Sequence, residues 1–320
     1  MTTQPRPPEA VVPGLQRTGL LARVEERLGA LLHAEQARCR AVDPRAVPLV
    51  DALADLLLPG GERIRPALVT TGYLAAGGEA AGGEAAGDHA ADAAVALELL
   101  DTGYQIRRDL WQNAPLRRGA PTLHVQHAAE HERNDWGGDA RGFGRGVAVL
   151  VSDLAAALAD RVAGDLPSAA RQVWHDLRIG RLGGSYVDSA LSCRYLANSW
   201  PSGCLGGCTR GCGTGWYAVR HPLLIGAALA GRGDLAVAYQ DYARALHAAW
   251  RVRGFLTGGW ERDWYGELLR EVLLDAEERA RAEETIGTLL DHAARALAPA
   301  PLTPAWRTEL TSLAVQLVSP

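Results

Sequence analysis

The sequence predicts an all-α protein folded as one helical domain. Apolar residues recur at three- and four-residue steps over long stretches, which is the period of an amphipathic helix. Alternating strand patterns and β-branched runs are nearly absent, and no tandem repeat indicates a solenoid. A chain of 320 residues can bury a sizeable core in a single domain.

The first part of the chain predicts four helices after a polar, proline-rich tail at residues 1–13 that is expected to be disordered. These helices are predicted at residues 14–40, 44–58, 62–76 and 91–111. Pro44 and Pro48 open the second helix, and Pro59-Gly60-Gly61 ends it. The glycine-rich stretch Gly77–Gly87 is predicted to be a flexible connector. The domain therefore occupies residues 14–320.

The second part predicts six more helices and two interruptions. The helices are predicted near residues 143–163, 167–191, 216–230, 233–257, 263–296 and 303–318. Glu132–Gly144 and Ser199–Gly215 mix glycine with polar residues and are predicted to be loops. The second loop carries Cys204, Cys208 and Cys212. Their spacing departs from the usual zinc knuckles, so incidental thiols are favoured over a metal centre.

The charge balance excludes several function classes. The 33 basic and 37 acidic side chains give a net charge of −4, so no basic field is expected to hold nucleic acid. The sequence contains no lysine, which excludes a lysine Schiff base and a P-loop. No apolar run is long enough for a membrane span, and the first residues lack a signal-peptide layout. A cytoplasmic protein is expected.

Three stretches occur in an order that identifies a family. The first, Gly60–Pro66, reads G-G-E-R-I-R-P, and the second includes L-E-L-L at Leu97–Leu100 and R-R-G-A-P-T-L-H at Arg117–His124. The third is the apolar segment His221–Gly231. Together they resemble the trans-type polyprenyl diphosphate synthases from about residue 45 to residue 260. The resemblance implies a bundle of the isoprenoid synthase type with a central cavity, prenyl diphosphate substrates and a dimer.

The first metal motif of that family is degraded here. The resemblance implies D-D-x-x-D on a helix, where carboxylates at i, i+1 and i+4 share one face and hold Mg²⁺. The corresponding residues are Arg108, Asp109 and Gln112, so one carboxylate remains. The second Asp-rich motif is lost at Gly254, Phe255 and Gly258. The usual three-metal Mg²⁺ cluster is therefore not expected, and no metal ligand or other cofactor is assigned.

The second substrate site is altered as well. By the resemblance, two positions that help to hold the homoallylic diphosphate are Glu62 and Asp101, whose negative charge repels a diphosphate. Arg65 and Arg118 match remaining ligands of that site. Since chain elongation needs two bound diphosphates, ordinary elongation is not expected.

Arginines and tryptophans offer a metal-independent alternative. Arg65, Arg117, Arg118 and Arg253 are the candidate diphosphate ligands, because guanidinium groups bind phosphate in a bidentate manner. The candidate catalytic residues are Asp109, Arg108, Trp111 and Trp250. Aromatic faces such as those of tryptophan stabilise carbocations. The alternative is that these arginines pair with acids in a decayed site and that the tryptophans are core.

Two functional hypotheses follow. The first is an enzyme that acts on one prenyl diphosphate, by cyclisation or prenyl transfer, with arginines in place of Mg²⁺. The second is a catalytically silent partner of an active prenyl diphosphate synthase. The protein is expected to form a homodimer, or a heterodimer with a synthase. Converging arginines around a tryptophan-walled cavity favour the enzyme, and a collapsed cavity favours the partner.

Overall fold

The computed structural model describes residues 13–117, 119–195, 213–257 and 276–319. Eleven α-helices lie in this part of the chain. They are α1 Pro13–Val42, α2 Val47–Leu57, α3 Ile64–Ala75, α4 Gly78–Gln112, α5 Leu123–Arg133, α6 Ala140–Gly164, α7 Ser168–Tyr195, α8 Gly213–Leu229, α9 Ala236–Thr257, α10 Ala276–Ala296 and α11 Pro304–Val318. A two-residue hairpin pairs β1 Leu116–Arg117 with β2 Ala120–Pro121. The predicted all-α class is confirmed.

The prediction for Gly77–Gly87 is wrong. Helix α4 begins at Gly78 and runs for 35 residues, so the stretch is helical and continuous with the apolar part of α4. Alanine and glutamate, both strong helix formers, fill most positions between its glycines. Arg23 of α1 pairs with Asp88 just beyond this stretch. Tertiary contact and alanine propensity together outweigh the conformational cost of glycine.

Close helix contacts fix the position of α4 in the bundle. At Gly103, α4 approaches α6 so closely that an added Cβ would lie 3.0 Å from the Ser152 carbonyl oxygen. The Ser152 hydroxyl donates to the Gly103 carbonyl oxygen at 3.0 Å. Gly72 of α3 and Gly226 of α8 permit a similarly close approach between those two helices. The last third of α4, where the sequence motifs lie, is thus held closely against α6.

The predicted loops are shorter than expected where the structure describes them. Between Glu132 and Gly144, α5 continues to Arg133 and α6 begins at Ala140. The Asp139 side chain accepts hydrogen bonds from the amides of Arg141 and Gly142 and caps α6. The loop with Cys204, Cys208 and Cys212 lies outside the described residues. Within the described ranges, no helix is both long and apolar enough to cross a bilayer.

Candidate functional site

Asp109 and Arg117 form an ion pair at the end of α4. Helix α4 ends at Gln112, the following residue Asn113 has a left-handed backbone (φ 47°), and the chain turns back through β1. This reversal brings the Arg117 guanidinium onto Asp109, with Nε 2.6 Å from Oδ1 and Nη2 in contact with the same oxygen. Asp109 is only 7% exposed. The one carboxylate left at the first motif therefore has an arginine as its neighbour.

The R-R-G-A-P-T-L-H segment is bonded to the same helix end. The Thr122 hydroxyl donates to the Ala114 carbonyl oxygen at 2.7 Å and lies 3.1 Å from His124 Nδ1. The Ala114 amide donates to the Asp109 carbonyl oxygen at 2.9 Å. Burial lowers the pKa of His124, and the nearby Asp109 partly opposes that effect. These bonds hold Arg117 in place over Asp109.

A second ionic cluster lies about two turns earlier on α4, centred on Asp101. Its carboxylate accepts from Arg65 Nη1 of α3 at 2.8 Å and from Arg181 Nη2 of α7 at 2.7 Å. The Arg181 guanidinium carbon also lies 4.2 Å from the centre of the Tyr104 ring. Arg181 is buried, which lowers its pKa. The Asp101 carboxylate thus forms ion pairs with two guanidinium groups that lie on different helices.

Arg63 extends this cluster toward α1 and α2. It adopts a left-handed backbone (φ 44°) just before α3, a conformation with a steric cost outside glycine. Its guanidinium donates to Glu98 at 2.9 Å, to Glu25 at 2.6 Å and to the Leu57 carbonyl oxygen at 2.9 Å. Burial raises the pKa of Glu98. Arg63 therefore ties the loop before α3 to three neighbouring helices.

A neutral histidine is the last member of this cluster among the described residues. His221 of α8 is buried, with its ring 5.0 Å from that of Tyr217 and its Nε2 3.2 Å from Arg220 Nη1. Burial, followed by the charges of Arg220 and Arg181, lowers its pKa to about 3. His221 Nδ1, Arg65 Nε, Arg181 Nε and the Tyr104 hydroxyl are buried without a hydrogen-bond partner among the described residues.

The remaining predicted site residues lie apart from these two clusters or outside the described chain. Arg253 of α9 pairs with Glu283 of α10 at 2.6 Å and donates to the Val318 carbonyl oxygen at 2.6 Å. Trp111 is 59% exposed, whereas Trp250 is partly buried and packs on the core between α9 and its neighbours. Arg108 is partly buried on α4, and Arg118 lies outside the described residues. Among the predicted site residues that the structure describes, Asp109 with Arg117, and Arg65 with Asp101, form ion pairs at the motif-bearing segments.

The side chains at the first motif do not fit a magnesium cluster. Arg108 brings a positive charge, Gln112 a neutral amide, and the Asp109 carboxylate is bonded to Arg117. Mg²⁺ is held chiefly by carboxylate oxygens and water. Across the residues that the structure describes, no group of three or more His, Cys, Asp or Glu side chains is arranged to hold a metal ion.

Sequence reasoning missed Arg181, Arg63, Glu98, Tyr104 and His221 as members of the clusters. Glu98 and Asp101 stand three residues apart, so helical spacing alone places them on one face of α4. Arg181 lies far along the chain, and no local pattern distinguishes it from other arginines. Its role arises from the tertiary fold, which brings the Arg181 side chain of α7 within reach of Asp101 and Tyr104 of α4.

Comparisons with known proteins agree with this fold. Residues 47–189 match the family model for polyprenyl synthetase. A geranylgeranyl diphosphate synthase from Rhodobacter capsulatus is 37% identical over 97 residues, which cover 28% of this chain and 32% of that protein. The matched stretch thus spans about a third of that relative's length.

Solved structures are similar over nearly the whole chain. A geranylgeranyl pyrophosphate synthase from Corynebacterium glutamicum, complexed with isoprenyl diphosphate and magnesium, has a TM-score of 0.74 at 22% identity and matches 92% of this chain and 97% of its own. A geranyltransferase from Helicobacter pylori has a TM-score of 0.68 at 18% identity, with 98% and 100% covered. At these identities the likeness concerns the fold.

Proposed function

We propose that this chain, whose residues 47–189 match the family model for polyprenyl synthetase, is a member of the trans-type prenyl diphosphate synthases that does not elongate prenyl chains. We propose further that it acts as a catalytically silent partner subunit of an active synthase. One observation carries the proposal. The candidate diphosphate ligands Arg65, Arg117 and Arg253 each bond a carboxylate of the same chain.

The pairing opposes substrate binding in two ways. A diphosphate would have to displace the carboxylates of Asp101 and Asp109 from guanidinium groups in a poorly hydrated site. Breaking a buried ion pair leaves an uncompensated charge, at a cost of about 3–5 kcal/mol. The released carboxylates would then repel the incoming phosphate. The change from metal-binding carboxylates to arginine–carboxylate pairs supports loss of metal-dependent chemistry.

The exposed face of α6 supports association with another subunit. Phe143, Val149 and Leu150 are 38–57% exposed on this helix. Gly142 and Gly146 on the same face allow a helix to approach closely. Apolar side chains exposed together on one helix face are a feature of interaction sites. The assembly would be a heterodimer with a synthase, with a homodimer as the alternative.

The proposal is tested by co-expressing the full chain with an elongating prenyl diphosphate synthase from the same genome. We expect the two chains to co-purify as a stable complex of defined mass, measured by light scattering. We expect the isolated chain to incorporate no labelled isopentenyl diphosphate in the presence of Mg²⁺. Replacement of Val149 and Leu150 by Gln should weaken the complex, whereas Leu15→Gln, on exposed α1, should not. Mg²⁺-dependent elongation by the isolated chain would contradict the proposal.

A second function is favoured by the unpartnered donors of the Asp101 cluster. Arg65 Nε and Arg181 Nε are buried and without a partner among the described residues, and an oxyanion would satisfy them. The chain would then hold a single prenyl diphosphate, and would cyclise or transfer it without Mg²⁺. Calorimetric titration with farnesyl and geranylgeranyl diphosphate separates the two functions. Binding that persists in EDTA supports this second function, and its absence supports the silent subunit.

A further inference from the structure

Four buried polar atoms around Asp101 have no hydrogen-bond partner among the described residues. They are Arg65 Nε, Arg181 Nε, His221 Nδ1 and the Tyr104 hydroxyl. Arg181, Tyr104 and His221 are only 7%, 5% and 1% exposed, so bulk water does not solvate them. Nearly all buried polar groups in folded proteins are hydrogen-bonded, because an unpaired one keeps its full desolvation cost. Four such atoms in one cluster therefore indicate a bound partner.

That partner is a hydrogen-bond acceptor. The Nε atom of an arginine carries a hydrogen and cannot accept. Arg220 Nη1, which also can only donate, lies 3.2 Å from His221 Nε2, so Nε2 accepts and the proton of the neutral ring sits on Nδ1. The ring is neutral because burial, followed by the charges of Arg220 and Arg181, lowers the pKa of His221 to about 3. Three N–H groups thus require an acceptor, and the Tyr104 hydroxyl can donate as well.

Helix packing brings Arg181 and His221 into the same part of the interior. The Arg181 guanidinium carbon lies 4.2 Å from the centre of the Tyr104 ring. Gly180, the preceding residue, permits a close approach of α7 to α8, since an added Cβ would lie 2.6 Å from the Tyr217 ring. His221 is one turn farther along α8, with its ring 5.0 Å from that of Tyr217. The contact between α7 and α8 therefore lies beside both N–H groups.

Positive charge exceeds buried negative charge among the described residues of this region. Two largely buried carboxylates, those of Glu98 and Asp101, face four guanidinium groups, which belong to Arg63, Arg65, Arg181 and Arg220. Two further acids lie toward solvent, since the Glu25 side chain is 47% exposed and Asp176 is exposed. Water screens an exposed carboxylate, so these acids offset the buried cations only in part. A water molecule would satisfy the N–H groups and leave the excess charge, whereas an anion would satisfy both.

We propose that Arg181 Nε and His221 Nδ1 bind one small monovalent anion in the interior of the bundle, for which chloride is the probe. Each side chain contributes one N–H group, and a few charge-assisted hydrogen bonds suit a monatomic anion. A diphosphate has more oxygen atoms than these donors can satisfy, and its larger charge would be repelled by Asp101. The anion site does not rest on the proposed function.

The test measures how the stability of the full chain depends on chloride. Urea unfolding is followed at constant ionic strength while sodium chloride replaces sodium gluconate, whose anion is much larger. A ligand that binds the folded state alone raises stability with its concentration. Once the site is saturated, the unfolding constant should fall about tenfold for each tenfold rise in chloride. Crystals grown in bromide should show an anomalous scattering peak beside Arg181 Nε.

Conservative variants remove the two donors one at a time. Arg181→Lys keeps the positive charge and removes the Nε–H group, and His221→Phe keeps an aromatic ring and removes the Nδ1–H group. Each should weaken chloride affinity about tenfold, because a hydrogen bond to a charged group is lost. The matched control is Arg178→Lys on the same helix, whose guanidinium pairs with the half-exposed Asp160. It should keep the chloride dependence of the natural sequence. Equal chloride dependence in all three variants would overturn the proposal, because ions would then act elsewhere.

Three further results would overturn the anion site. No chloride dependence in the natural sequence would assign the buried donors to water. A bromide peak in crystals without any effect in solution would mean an adventitious ion only. Stabilisation by inorganic diphosphate in EDTA at lower concentrations than chloride, lost in Arg181→Lys, would assign the donors to a diphosphate and support the second function above. Assembly with a synthase is measured separately by light scattering, so failure of the anion site leaves the silent-subunit proposal intact.

Discussion

The guanidinium of Arg181 lies between the carboxylate of Asp101, 2.7 Å from its Nη2, and the face of Tyr104. The other Asp101 oxygen receives Arg65 at 2.8 Å. Asp101 is thus the shared counter-charge of two guanidinium groups. By the resemblance to the prenyl diphosphate synthases, this position belongs to the homoallylic substrate site. Here it joins α3, α4 and α7 through charge.

Asp101→Asn should strongly destabilise the protein. The substitution leaves Arg65 and Arg181 without their shared carboxylate, and breaking a buried pair costs about 3 kcal/mol or more. Urea unfolding followed by circular dichroism measures the change in free energy. The matched control is Asp153→Asn, whose carboxylate is largely exposed and pairs with Arg107. That surface pair should contribute less than about 1 kcal/mol. Equal losses in the two variants would contradict the structural role of Asp101.

Arg117→Gln should destabilise the protein. The variant leaves the buried Asp109 carboxylate without its cation, which we expect to cost about 2–3 kcal/mol. Urea unfolding followed by circular dichroism measures the change in free energy. A loss below about 1 kcal/mol, the size expected of an exposed surface pair, would contradict the structural role of this ion pair.

Much of the fold was predictable from the sequence because helical periodicity is a local signal. The helices ending near Leu57 and Ala75 follow directly from proline, glycine and the apolar period. The start of α4 was not predictable in this way, because its glycines disfavour a helix while the alanine and glutamate around them favour one. The contact of Arg23 with Asp88 that accompanies this helix joins residues 65 positions apart.

The candidate site was predictable only in its motifs. The loss of carboxylates at Arg108 and Gln112 is visible in the sequence, and the short step from Asp109 to Arg117 allows their contact. The partners of Arg253 and Arg65 depend on which helices pack together. Arg253 meets Glu283 of α10, and Arg181 meets Asp101 of α4, through tertiary contacts without a local sequence signal. Ion pairs between distant segments of the chain are therefore visible only in the structure.

Rebuilding the first carboxylate motif should not by itself create a metal site. In Arg108→Asp with Gln112→Asp, three carboxylates share the helix end, but Arg117 still neutralises Asp109. We expect this double variant to bind Mn²⁺ poorly, as measured by the electron paramagnetic resonance signal of free Mn²⁺. Adding Arg117→Gln should strengthen binding at least tenfold, while adding Arg133→Gln as a control should not. Tight binding by the double variant alone would show that the ion pair does not compete with metal.

His221 should make the protein less stable as the pH falls. Its folded-state pKa of about 3 lies well below the ordinary value of 6.5, so the unfolded chain binds more protons at intermediate pH. The contribution of the neutral, buried imidazole is fully present above pH 6.5 and is lost progressively as the pH falls toward 3. The slope of unfolding free energy against pH approaches 1.4 kcal/mol per pH unit at most.

His221→Gln should flatten the fall in unfolding free energy between pH 7 and pH 4, whereas His33→Gln, on the exposed side of α1, should leave it unchanged. An equally steep fall in His221→Gln would assign the acid sensitivity to other groups, of which His247, with a pKa lowered to about 4 by burial, is the next to test.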